Sequence, residues 1–147
     1  MMNFKGKWFS LMLMILITQV GCGQLKPQNW TADQLEDPAQ LAEKIRQDRN
    51  VPILINVGPS ALIPGSIDAG AAGHSSGVKK LSEVLKPLKK DADIVIYCGC
   101  CPFANCPNVR LASDVLKSGG YTNYHLLNLP QNIYADWISK GYPTVKK

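Results

Sequence analysis

The chain has 147 residues, a net charge of +5 at pH 7 and 46% apolar residues, enough for one domain with a real core. Its mild basicity comes without interleaved aromatics and gives no sign of nucleic-acid binding. Lys79, Lys80, Lys86, Lys89 and Lys90 read as a solvated helix face and helix end.

Lys5 and Lys7 precede an apolar stretch from Trp8 to Thr18 that is too short to span a bilayer comfortably. Gln19-Val20-Gly21-Cys22 follows and is similar to a bacterial lipobox, with Gln19 departing from the usual apolar residue. We therefore expect a signal peptide over 1–21, acylation of Cys22, and an exported lipoprotein held in the cell envelope with its domain outside the cytoplasm. Residues 22–37 read as a tether, because Gln24 to Trp30 is polar, contains Pro27 and lacks periodicity.

The domain is expected over 38–147. Thr31 or Asp37 can cap the first helix, Pro38 suits its first turn, and Leu41, Ala42 and Ile45 share one face up to Asp48. Ile53 to Val57 reads as a buried strand, with Asn56 ending it on the pocket side. Ile63-Pro64-Gly65-Ser66-Ile67 reads as a turn into a short strand, and Ala69 to Gly77 as a small-residue loop holding His74. Val78, Leu81, Val84, Leu85 and Leu88 make a helical stripe that Pro87 should end. Ile94 to Tyr97 is a buried strand that runs into Cys98.

Four of the five cysteines, Cys98, Cys100, Cys101 and Cys106, then fall in one loop, ahead of a helix carrying Val109, Ala112, Val115 and Leu116 on one face. A loop between a strand's C-terminal end and a helix's N-terminus is where open α/β folds place their sites. Gly119-Gly120 stops that helix. Tyr124 to Leu127 is a further strand holding a packed His125, and Ile133, Trp137 and Ile138 suggest a last short helix with Trp137 and Tyr142 in the core. Strands alternating with helices imply a doubly wound α/β fold with a parallel sheet.

These residues resemble a rhodanese-like domain. Ile53 to Val57 is similar to the family's Leu-Ile-Asp-Val strand, and Ile63-Pro64-Gly65-Ser66-Ile67 to its Ile-Pro-Gly-Ala-Ile turn. Gly120-Tyr121-Thr122-Asn123 is similar to Gly-Phe-Thr-Asn, and Trp137 with Gly141-Tyr142-Pro143 to the terminal Trp…Gly-Tyr-Pro. The resemblance implies a single domain with a central parallel β-sheet flanked by helices on both faces, and Cys98 as the nucleophile at a strand end. It departs from the family in the loop, which is longer than the usual arginine- and glycine-rich one and carries cysteines instead.

Three chemistries suit that loop. In the first, Cys98 attacks a small sulfur donor, becomes a persulfide and yields its sulfur to a thiol acceptor, with Cys106 as alternative nucleophile or resolving thiol and Arg110 holding an anionic donor. In the second, the thiols exchange or form structural disulfides, as export favours. In the third, Cys98, Cys100, Cys101 and Cys106 bind zinc or copper(I) in a non-catalytic module. The leading expectation needs no cofactor.

Overall fold

The structure is a computed structural model, and it describes residues 30–146. The expected signal segment, Cys22 and residues 22–29 of the tether lie outside the described residues. Among the described residues no helix is long and apolar enough to cross a membrane.

Five parallel strands form one sheet in the order β1-β5-β4-β2-β3: β1 (Leu35–Glu36), β2 (Ile53–Asn56), β3 (Ile67–Asp68), β4 (Ile94–Tyr97) and β5 (Tyr124–Leu127). Among the described residues three α-helices connect strands, α1 (Pro38–Gln47), α2 (Ser75–Leu85) and α3 (Pro107–Ser118), and a fourth, α4 (Ile133–Asp136), follows β5. The central strand is β4, an unbroken apolar run buried along its whole length, as a strand covered on both faces requires.

Strand alternation sorts the core into two layers. Ile55, Ile94, Ile96 and Leu126 face Leu81, Val109 and Leu116 of α2 and α3. Leu54, Val95, Tyr97 and Leu127 face Leu41, Ala42 and Trp137 on the other side, with Ile133 of α4 packed against them. The expected single domain with helices on both faces of a parallel sheet is what the chain forms. Cys98 continues the parity of Ile94 and Ile96, so its side chain enters the α2/α3 layer.

The helix ends follow their residues. Asp37 caps α1 by accepting from the Gln40 N–H at 2.9 Å, with Pro38 at the first position. Pro107 opens α3 in the same way, and α2 ends at Leu85, two residues before Pro87. The Ile63–Ser66 turn docks on the buried Tyr97 hydroxyl, which accepts from Ile63 N–H (3.3 Å) and lies 2.8 Å from Ser66 Oγ.

One boundary is corrected. Ala32–Gln34 form a 3-10 turn and Leu35–Glu36 pair in parallel with β5, so the last part of the expected tether, 22–37, belongs to the fold. Two half-buried residues are too few to show a strand's alternation, which is why only the pairing reveals β1.

Candidate functional site

The site lies at the C-terminal edge of the sheet, in the crevice that opens where the chain leaves β4 for α3 on one face and β5 for α4 on the other. The cysteine loop, 98–106, fills that crevice and is held from both layers. On the α4 side the Ile133 N–H donates to the Gly99 carbonyl at 3.0 Å. Gly99 is required there, since a Cβ at this position would sit 2.5 Å from Ile133 Cβ. Gly58, after β2, leaves room in the same way: its Cβ would meet Cys98 Sγ at 2.8 Å. Asn56, fully buried, fixes that turn by donating to the Gly58 carbonyl (2.9 Å) and the Asp68 carboxylate (2.9 Å) while accepting from the Gly58 N–H (3.2 Å).

The sulfurs form a cluster. Cys98 Sγ is 3.2 Å from Cys100 Sγ, which is 3.3 Å from Cys101 Sγ. The sulfurs of Cys98, Cys100 and Cys106 all lie within 4.8 Å of one another, so three of the four thiols converge and could hold a metal ion. Their exposures differ sharply: Cys98 is 1% and Cys106 2% exposed, Cys101 is half-buried, and Cys100 is open to solvent.

Asn108, in the first turn of α3, was invisible to sequence reasoning and is the best-placed polar side chain at the site. Its Oδ1 accepts from the Gly73 N–H at 2.6 Å. That bond fixes the amide's orientation, so the NH₂ group must face the sulfurs. Nδ2 lies 3.3 Å from Cys98 Sγ and 3.8 Å from Cys100 Sγ. The pattern is a donor aimed at electron-rich sulfur. No signal in the sequence identifies it, because Gly73 is 35 residues away.

The electrostatics are set by crowding. The neighbouring Cys106 thiol and then burial push the Cys98 thiol far above its ordinary value, against the pull of the Cys100 backbone N–H and the Asn108 amide. Burial, and next the hydrogen bond with Cys98, raise Cys100. Burial, and next the hydrogen bond with Cys100, raise Cys101 to about 11. Several thiols this close disfavour more than one negative charge at a time.

The sequence candidates are therefore brought together in part. Cys98, Cys100, Cys101 and Cys106 share the cluster, with Cys106 at the N-cap of α3. Arg110 is half-buried one helical turn beyond Cys106, whose carbonyl accepts from its backbone N–H at 3.2 Å. His74 is exposed at the N-cap of α2, next to the Gly73 that holds Asn108. A cleft of 590 Å³ runs between α2 and α3, but none of the cysteines lines it. Of the four thiols, Cys100 is open to solvent and Cys101 partly so, while Cys98 and Cys106 are covered.

No protein-family model matches the chain, and no curated protein sequence matches it. Among solved structures, the crystal structure of the Alr3790 protein from Anabaena sp. is similar with a TM-score of 0.54 and 19% sequence identity, over 75% of this chain and 90% of that chain. The likeness is one of fold.

Proposed function

We propose that this chain is an exported, lipid-anchored rhodanese-like protein that handles sulfane sulfur through its cysteine loop, as a sulfurtransferase or a persulfide/thiol-exchange protein. The observation that carries this reading is the group of three thiols within 4.8 Å at the C-terminal end of the central strand, with the Asn108 amide donor turned toward Cys98. A loop thiolate attacks the outer sulfur of a thiosulfate or polysulfide, the sulfur–sulfur bond of the donor breaks, and the cysteine is left as a persulfide. The Asn108 N–H stabilises the negative sulfur, since hydrogen bonding to the charged form favours it. Arg110 supplies a positive charge on α3 for an anionic donor.

The test is sulfite release on mixing the reduced protein with thiosulfate. Release is expected in the wild type and absent when all four loop cysteines are serine. A wild type that releases no sulfite and gains no sulfur rejects the reading.

A second reading is favoured by the same geometry: a non-catalytic module whose loop binds zinc or copper(I) or closes as disulfides. Zinc–thiolate bonds of about 2.3 Å put tetrahedral sulfurs roughly 3.8 Å apart, within the 4.8 Å spread of Cys98, Cys100 and Cys106. Soft thiolates suit both ions. Asn108 would then donate to the bound sulfurs, as groups around metal ligands do. Metal analysis of protein purified reduced and without oxygen decides it: one tightly held ion per chain supports the module, and a metal-free reactive loop excludes it.

A further inference from the structure

The four thiols of the loop are not equivalent, and their differences assign an order of events. Cys100 alone is open to solvent, whereas Cys98, 3.2 Å away, is 1% exposed. A donor arriving from solution meets Cys100 first. A sulfur atom placed there has a buried thiol already in contact with the atom it is bonded to.

We propose that Cys100 receives the sulfur and that Cys98 then expels it as hydrosulfide, so that the loop reduces sulfane sulfur instead of passing it on. This rests on the sulfur-handling reading above. In the first step the Cys100 thiolate, its proton given to solvent, attacks the outer sulfur of thiosulfate. A Cys100 S–S bond forms, the donor's S–S bond breaks, and sulfite departs with the electron pair. In the second step the Cys98 sulfur attacks Cys100 Sγ. The Cys98–Cys100 bond forms, the persulfide bond breaks, and the outer sulfur leaves as hydrosulfide carrying the proton that Cys98 gives up. The two cysteines are oxidised and the sulfane sulfur is reduced. A small-molecule or protein dithiol in the envelope returns the loop to its thiol form and itself becomes a disulfide.

Three observations favour resolution over transfer. The sulfurs need to close from 3.2 Å to a bond of about 2.05 Å, a movement of roughly 1 Å. An attacking group held in contact acts at an effective molarity of about 10⁵ M or more, which no thiol in solution matches. The attacking thiol is also buried, so it is kept for a partner inside the loop. The proton the leaving sulfide takes up is the one on the attacking Cys98 sulfur, 3.2 Å from Cys100 Sγ. Cys98 keeps a nucleophile's role, and its electrophile is Cys100. Cys101, on the far side of Cys100 at 3.3 Å, is the adjacent residue and would have to close a much tighter ring.

The experiment uses the full chain in detergent, reduced and freed of reductant, mixed with excess thiosulfate. Sulfite, hydrosulfide and intact mass are followed together. The wild type is expected to release one sulfite and one hydrosulfide per chain and to become lighter by two hydrogens. Cys98→Ser is expected to release the sulfite, stay heavier by one sulfur, and lose at least about tenfold in hydrosulfide release. Cys100→Ser is expected to release neither. A wild type that keeps the extra sulfur and gives it to cyanide as thiocyanate, without hydrosulfide, overturns the inference and leaves sulfur transfer standing. Hydrosulfide release undiminished in Cys98→Ser, or sulfite release undiminished in Cys100→Ser, overturns the assigned roles. A wild type that releases no sulfite and gains no sulfur removes the inference and the reading beneath it together. The wild-type stoichiometry stands alone if a variant fails to fold.

Discussion

Asn108→Asp probes the site with almost no change of shape. The Gly73 N–H keeps its acceptor, but the donor facing the sulfurs becomes an anionic oxygen about 3.3 Å from Cys98 Sγ. Two unit charges at that distance repel by about 5 kcal/mol at an effective dielectric constant of about 20. The carboxyl can escape by taking a proton, which costs about 4 kcal/mol at pH 7 for a group with an ordinary value of about 3.9. The smaller figure is the ceiling, and it corresponds to roughly three decades of lost Cys98 thiolate. Asn108→Ala removes only a hydrogen bond to a charged group, about 1.5 kcal/mol or roughly tenfold. The assay is oxidation of the metal-free, reduced loop by a neutral small-molecule disulfide at pH 7, followed as thiol loss. The expected order of rates is wild type, then Ala about tenfold slower, then Asp slower than wild type by a hundredfold or more. Equal rates for the Asp and Ala variants would refute the argument that the amide's NH₂ group faces the sulfurs.

Trp137 is fully buried, donates from Nε1 to the Pro143 carbonyl at 2.7 Å and meets the Tyr142 ring edge-on at 5.1 Å. Trp137→Ala should cost about 3–5 kcal/mol by urea unfolding, a large part of the ~5–15 kcal/mol typical of a domain; a loss below about 1 kcal/mol contradicts its place in the core. Asp68 is held below the ordinary carboxylate value by the Asn56 amide and also by the Gly70 N–H, with burial opposing. A depressed folded pKa contributes stability above the unfolded value of about 4, and this is lost as pH falls through the folded one. The urea midpoints of wild type and Asp68→Asn should therefore differ at neutral pH and draw together as pH falls below the ordinary carboxylate value of about 3.8, and a gap that does not shrink there refutes the linkage. With Cys101 raised to about 11 by burial and then by the hydrogen bond with Cys100, its alkylation by iodoacetamide should climb about tenfold per pH unit through about pH 10, and a plateau near pH 8.5 excludes the shift.

The strand the sequence shows best is the one buried along its whole length, Ile94–Tyr97, which occurs where its apolar run places it. Tyr124–Leu127 is also where it is expected, with its last two residues buried. Asp37, Pro38 and Pro107 act where cap and first-turn chemistry puts them, because those rules are local. β1 was hidden because its only evidence is a pairing with residues some ninety positions later, Leu35 with Leu126. The site divides in the same way. Clustered cysteines after a buried strand are a local pattern and were legible. Which thiol is exposed depends on how the loop folds back, and the Asn108 donor depends on Gly73, so neither is written in any window of the chain.

The clamp between Gly99 and Ile133 carries one more consequence. Because it ties the loop after β4 to α4, the Cys98 thiol is reached by a bulky reagent only when that part of the molecule transiently opens. Labelling of Cys98 then measures an opening equilibrium, in the way amide hydrogen exchange does, while Cys100 in the same loop reports the unprotected rate. A ratio of about a thousand between the two would correspond to about 4 kcal/mol of local closure. The chain thus contains both the clock and its reference, and substitutions at Ile133 should move the first without touching the second.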